Sequence, residues 1–428
     1  MKPIKLNQLP AEDYKRILAR SAGRDPEIIP SIRQLMENVR KNGDKVLYAD
    51  AKTRFAGQNF TSIKVTPEEI KQAYQEVSKD FIQAVKQMIK NITAVHQAQL
   101  PRKKDTVVYP EEGVSVWREW RPIEKVGLYI PGGQAIYPSS VLMSAIPAQI
   151  SGCKEIVMCS PARGSGQIPA PTLVAADMIG LTQIFKLGGP LAIAAMTYGT
   201  ETVPKVYKIF GAGGAAVTAA KMLALETIGI DMPAGPSEVF VIADETANPA
   251  YVAADLICDC EHGDDSAGVL VTTSEKVAQE TAKEIEKQLP KLATETRTRE
   301  SLKKYGLIAV VDSLDEAIAF TNEYAPEHLE IMTKNPELAV KGIINAGSVF
   351  LGDWTTKSAG DYATGANHVL PTGGMAKMYP PLGVDSYGKW MQVQKCSKDG
   401  LRKIRKTIEI LAETEELPAH KVSASIRF

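Results

Sequence analysis

Residues 126–133 read V-G-L-Y-I-P-G-G, and residues 137–150 read Y-P-S-S-V-L-M-S-A-I-P-A-Q-I. A short β-branched and aromatic run that stops at Pro-Gly-Gly, followed by a proline and an apolar stretch of helical length, predicts a strand, a tight turn and a helix. The unit recurs along the chain. EIVMCSP (155–161) precedes PTLVAADMIG (171–180), and KVYKIFGAGG (205–214) precedes AAVTAAKMLAL (215–225). SEVFVIADE (237–245) precedes NPAYVAADLICDCEH (248–262), AGVLVTT (267–273) precedes a Glu/Lys-rich helix, and GLIAVVDS (306–313) precedes LDEAIAFTNEYA (314–325). Strands alternating with helices of this length predict an α/β protein with parallel, doubly wound sheets. The units are too many for one sheet. They divide near residue 235 into two Rossmann-like α/β domains, 105–235 and 236–375.

Outward from these units the pattern changes. Residues 1–104 predict a solvated helical N-terminal arm or lobe. Within it Thr66-Pro67-Glu68-Glu69 is a helix start with a hydroxyl cap, proline at the first helical position and Glu at the capping-box position. Ile70, Tyr74, Val77, Phe81, Val85, Met88 and Ile92 then recur at three and four residues and mark one buried face. Residues 376–428 predict a small helical tail around DGLRKIRKTIEILAETEEL (399–417).

Composition excludes several classes. Lys plus Arg and Asp plus Glu both number 50, so no basic excess points to nucleic acid and no acidic tract to disorder. No run approaches the roughly 18 apolar residues of a membrane helix. The first residues, MKPIKLNQLPAEDYKR, lack a signal-peptide core. Five cysteines (Cys153, Cys159, Cys258, Cys260, Cys396) in so long a chain argue against a disulfide framework. A soluble, cytoplasmic protein is expected.

The chemistry concentrates in loops and histidines. Open α/β sheets bind ligands at the carboxyl ends of their strands, where PGG (131–133) and GAGGAA (211–216) fall. The second fits G-x-G-x-x-A, a dinucleotide loop or simply a tight turn, and Asp231 lies about 20 residues on, where a ribose-binding acid can sit. Of five histidines, His96 stands beside no acid and reads as surface or packing. His262 (CDCEH), His328 (APEHLE), His368 (GDYATGANH) and His420 (EELPAH) each have polar neighbours. One such histidine is ordinarily a hydrogen-bond partner; four together point to a shared site.

In I-C-D-C-E-H-G-D-D (257–265) a helix from Pro249 through residue 262 puts Asp259 and His262 on one face. Cys258 and Cys260 turn roughly 100° to either side and become bystanders. Asp361 and His368 come from a glycine-rich loop and can reach the same point. Nitrogen and oxygen ligands without thiolate suit zinc or manganese, catalytic if one position stays open. Glu327 and His328 cannot both face one metal from a regular element, but from a turn they can face a substrate as a general acid/base pair.

Taken together, VGLYIPGG…YPSSVLM, IDMPAGPSEVFVIADETANP, EH at 261–262, APEHLE, GDYxxGxNHVLPT and the final E-x-x-x-x-H resemble the histidinol dehydrogenase family over nearly the whole chain. The resemblance implies a homodimer, dependent on zinc and NAD, that ends histidine biosynthesis by oxidising L-histidinol to L-histidinal and then to L-histidine, with two NAD. It implies zinc ligands at Asp259, His262, Asp361 and His420, which also bind substrate, and an acid/base pair at Glu327 and His328. Ser237, His328 and Glu415 correspond to further substrate contacts, Tyr129 and Gly214 to cofactor contacts. Glu415 and His420 then complete the site of the partner subunit.

Three positions depart from the family pattern. Asp259 stands where the family has Gln, and Leu191 and Gly214 stand where it has Gln and Asn. Two lost amide hydrogen bonds cost about 0.5–1.5 kcal/mol each, or roughly threefold to tenfold in cofactor affinity apiece. Two other readings stay open: a paralogous dehydrogenase for another amino or hydroxy alcohol, and a zinc-dependent binding protein with a weakened NAD site.

Overall fold

In Lys125–Tyr129 the side chains alternate between two cores. Val126 and Leu128 join the cluster formed with helix Pro138–Ser151, while Tyr129 joins the one formed with helix Gly189–Tyr198. At Gly127 a side chain has no room: a Cβ there would lie 2.6 Å from Met196 Sδ. A strand apolar on both faces belongs inside a parallel sheet covered by helices on both sides. That is its place in the computed structural model, which describes residues 1–20, 26–55, 60–132 and 135–428.

Two wholly parallel sheets make up the body of the molecule. The first orders its strands Gln183–Lys186, Glu155–Ser160, Lys125–Tyr129, Lys208–Phe210 and Gly229–Ile230. The second runs Ile4–Lys5, Leu307–Val310, Ala267–Thr272, Glu238–Ala243, His328–Met332 and Ser348–Leu351. Both are doubly wound. In each the winding reverses at one place: between Lys125–Tyr129 and Lys208–Phe210 in the first, between Glu238–Ala243 and His328–Met332 in the second. Such a reversal opens a crevice at the strand ends.

Three features differ from the sequence reading. The tail is not purely helical: Gly388–Cys396 is a nine-residue strand, antiparallel to Val114–Pro122, which also pairs with Val108–Glu111. The N-terminal residues Ile4–Lys5 form an edge strand of the second sheet. The helix begun at Thr66 stops at Glu76, and a second, Lys79–Ala98, starts from its own cap at Ser78. Thr66 and Glu69 form the expected capping box, Glu69 N–H donating to Thr66 Oγ1 at 3.3 Å and Thr66 N–H to Glu69 Oε2 at 2.8 Å. The apolar row on these helices packs into the first sheet's core, with Val85, Met88 and Ile92 buried beside helix Pro138–Ser151. This part of the arm is therefore a layer on the first sheet's core, with its outer face exposed.

Candidate active site

The crevice of the first sheet opens into a cavity of about 280 Å³, lined on one side by Tyr129 and Gly211–Gly214, and on the other by Ser237, His262, Glu327, His328 and Asp361. The glycine loop leaves strand Lys208–Phe210 and caps helix Ala215–Ala224 with Gly214. Gly211 has φ +118°, and a Cβ there would lie 2.1 Å from the Tyr129 carbonyl oxygen, so only glycine serves. Gly133 of the Pro-Gly-Gly turn lies outside the described residues. Asp231 does not face the cavity. Its buried carboxylate accepts from Gly211 N–H at 2.7 Å and pairs with Lys221 Nζ at 2.5 Å, and Lys221 also donates to the Gly211 carbonyl at 2.6 Å. The expected ribose acid is instead the anchor of the glycine loop. Leu191 is buried among core side chains, and the Tyr129 hydroxyl accepts from Gly189 N–H at 3.1 Å.

Helix Pro249–Cys260 ends two residues earlier than its sequence predicts. His262 follows in a turn closed by its N–H on the Asp259 carbonyl at 3.2 Å, and its Nε2 lies 3.8 Å from Asp259 Oδ1. The thiols are elsewhere: Cys258 Sγ meets Ser358 Oγ at 3.3 Å, and Cys260 is buried in the second sheet's core. The residue that sequence reasoning missed is Lys357. Its Nζ lies 2.5 Å from Asp259 Oδ1 and 2.8 Å from Asp361 Oδ2, between the two carboxylates. Burial pulls this ammonium down, and the charges of Asp259 and Asp361 reverse that and hold its pKa well above the usual lysine value. Burial likewise opposes ionisation of Asp259, but Lys357 and His328 keep it charged. The two imidazoles nearby are neutral, His262 lowered by burial and His368 lowered by burial to about 4. His368 Nε2 meets Ser140 Oγ at 3.1 Å, with its Nδ1 3.9 Å from Asp361 Oδ1.

His328 opens strand His328–Met332 and is not in a turn; Glu327 immediately precedes it. Both therefore come from the amino end of the second sheet's strands, the edge opposite to the one expected to bind ligands. His328 Nδ1 is 3.1 Å from the Glu238 carbonyl oxygen, 3.1 Å from Asp259 Oδ2 and 3.5 Å from Glu327 Oε2. Three acceptors around one nitrogen fix its hydrogen there and leave Nε2 as the acceptor. Burial lowers the His328 pKa, but Asp259 and Glu327 outweigh it and raise it well above the ordinary value. Burial raises the Glu327 carboxyl to about 7, against the lowering pull of His328. Glu327 is held by Glu238 N–H donating to its Oε2 at 2.9 Å. Glu238 in turn takes Arg20 Nε at 2.5 Å and Nη2 at 2.8 Å, a buried bidentate pair that the sequence did not reveal.

Glu415 and His420 are exposed on the tail, Glu415 capping helix Lys398–Thr414 and His420 within helix Pro418–Ser425. Among the described residues no side-chain hydrogen bond or ion pair joins either to the cavity of its own chain. No described helix is long and apolar enough to cross a membrane.

The family model for histidinol dehydrogenase matches residues 18–428. A histidinol dehydrogenase of Bacteroides fragilis is 46% identical over 417 residues, covering 97% of this chain and 96% of that one. One from Methanothermobacter thermautotrophicus is 44% identical over 414 residues, covering 96% of each. The crystal structure of histidinol dehydrogenase from Elizabethkingia anophelis superposes with a TM-score of 0.93 at 43% identity, covering 100% of this chain and 98% of that one. The chain belongs to the histidinol dehydrogenase family.

Membership in the histidinol dehydrogenase family makes the protein an oxidoreductase and raises the question of its zinc and NAD. Among the described residues one group, Asp259, Glu327 and His328, brings ligand atoms within 4.8 Å of one another. There His328 Nδ1 carries a hydrogen and has no lone pair for a metal. The set implied by the histidinol dehydrogenase resemblance fares no better, because the space between Asp259 and Asp361 holds the Lys357 ammonium. Zinc shared by both carboxylates would compete with that nitrogen for the same place, and at a separation of about 3 Å a dication and an ammonium repel by roughly 10 kcal/mol at an effective dielectric of 20. The residues present do not fit zinc. They do fit a dinucleotide: the glycine loop presents the amino end of a ten-residue helix to the cavity, and nothing lies within 4 Å of where a Gly214 Cβ would be.

Proposed function

We propose that the chain oxidises L-histidinol through L-histidinal to L-histidine, with two NAD as hydride acceptors, one for the alcohol and one for the hydrated aldehyde. The observation that carries this reading is the Glu327–His328 pair, adjacent, buried and on the wall of the cavity into which the glycine loop opens. Gly211–Gly214 and Tyr129 would hold NAD, which would supply the acceptor for each hydride. The proton chemistry belongs to the chain. His328, its Nδ1 hydrogen directed at the Glu238 carbonyl and Asp259, takes the hydroxyl proton on Nε2. The positive charge that the ring gains is stabilised by the buried Asp259 and Glu327 carboxylates. Glu327, with a pKa near neutrality, activates the water that adds to the aldehyde. Ser237, His262 and Asp361 are read as contacts to the substrate from the cavity wall. No step runs through zinc.

The same reading makes the protein a homodimer in which the partner subunit's Glu415 and the partner subunit's His420 reach this cavity. In support, the tail helices expose Ile410, Leu411, Leu417, Val422 and Ile426, an apolar face that one chain leaves uncovered. A second reading is the oxidation of another amino or hydroxy alcohol; it is favoured by Lys357 on the cavity wall, which offers a hydrogen-bond donor to a substrate oxygen. Purified protein mixed with NAD and L-histidinol decides between them. Accumulation of both NADH and L-histidine is expected. NADH formed from other amino alcohols and not from L-histidinol would move the assignment to the second reading.

A further inference from the structure

We propose that the Lys357 ammonium is the resident cation of this site, and that the chain binds no zinc between Asp259 and Asp361 and works without it. Two carboxylates from different helices converge on one nitrogen: Asp259 from Pro249–Cys260 at 2.5 Å, and Asp361 from Lys357–Tyr362 at 2.8 Å. Lys357 is 2% exposed, and a charge so buried is kept by its contacts with the two carboxylates. Its main chain is fixed as well. Lys357 N–H donates to Glu330 Oε1 at 2.8 Å, which ties the first turn of its helix to strand His328–Met332. Asp361 lies one turn further along the same helix, the spacing at which a lysine and an aspartate meet.

The pairing is also reciprocal with the aspartate at 259. Lys357 Nζ meets Asp259 Oδ1 at 2.5 Å and His328 Nδ1 meets Oδ2 at 3.1 Å, so each oxygen of the carboxylate faces its own nitrogen. A carboxylate facing an ammonium is a self-contained pair. With two of its donors on Asp259 and Asp361, Lys357 keeps the third for an acceptor atom of the substrate in the cavity it lines. Its role is to position and to stabilise charge.

The inference rests on the site described above but not on the choice of substrate, because zinc uptake and NADH formation are read separately and either can fail alone. The test is metal analysis of full-length protein purified from zinc-supplemented culture and dialysed, with melting temperatures recorded in added zinc chloride and in a chelator. Wild-type protein is expected to carry substoichiometric zinc and to show no shift in either. Lys357→Met and Lys357→Gln, which vacate the place between the carboxylates, are expected to gain stoichiometric zinc and to melt higher with it; two variants guard against one that fails to fold. Stoichiometric zinc in the wild type, lost to the chelator along with melting temperature, would overturn the proposal. So would a folded Lys357→Met protein that takes up no zinc, since the ammonium would then not be what fills the place of the cation.

Discussion

At the scale of single residues, the site depends on where one hydrogen is held. His328 is buried among Asp259, Glu327 and the Glu238 carbonyl, all of which favour the charged ring. Its pKa therefore lies well above 6.5, although burial alone would lower it. As the proposed base, His328 must lose its proton before it can accept one, so the fraction of competent enzyme rises with pH through and beyond neutrality. The rate of NADH formation from the alcohol is accordingly expected to climb from pH 7 into the alkaline range. His328→Asn should lose about 10²- to 10⁴-fold in rate and should flatten that climb. Steady-state rates across pH check both, and a wild-type profile already level at pH 6.5 would show that the carboxylates do not govern this histidine. Arg20 and Glu238 act one step further back, since Glu238 fixes Glu327 through backbone and side chain alike.

At the scale of elements, the glycine loop is held by a lysine and an aspartate, not by the glycines alone. Lys221 on helix Ala215–Ala224 and Asp231 after strand Gly229–Ile230 form a buried pair, and both bond to Gly211. Lys221→Met removes the charge but leaves the Asp231 carboxylate buried and unpaired. Breaking such a pair costs about 3–5 kcal/mol, so urea denaturation should report a loss of that order, and the KM for NAD should rise as the loop loosens. A variant as stable as the wild type would mean that Asp231 is already relieved by backbone donors. The contrast with the sequence is instructive here. Strand–turn–helix units were legible because apolar runs and glycine stops are written locally, as VGLYIPGG is. The spacing of GAGGAA and Asp231 was legible too, but not its meaning, because sequence separation does not tell whether an acid points into a cavity or under a loop. Lys357, in Thr-Thr-Lys-Ser, reads as an ordinary surface residue, and only the fold brings Asp259 over it. Strand Gly388–Cys396 was illegible for a different reason: most of its residues are exposed, so no apolar run marks it.

At the scale of the whole molecule, two sheets of the same winding meet the cavity with opposite ends. The first presents the carboxyl ends of its strands with their glycine loop, and the second presents the amino end of His328–Met332 with Glu327 and His328. In the proposed reaction cofactor and proton chemistry thus come from separate sheets, and the cavity lies where the sheets join. The tail belongs to neither. Glu415 and His420 sit at the surface beside an uncovered apolar face, which has meaning if a second copy of the chain receives them. If each site takes its tail residues from the other subunit, then two inactive variants can repair each other. Glu415→Gln spoils only what a subunit lends, and His328→Asn spoils only what it keeps. In a mixed dimer one cavity combines both lesions and the other has neither. Equal amounts of the two proteins, unfolded together and refolded, should therefore place intact machinery in about one site in four, by random pairing in a two-fold dimer. Activity near a quarter of the refolded wild type is expected, measured as NADH formation, with each variant refolded alone as the baseline. Recovery no greater than that baseline, in a preparation that sedimentation proves dimeric, would mean that each subunit completes its own site.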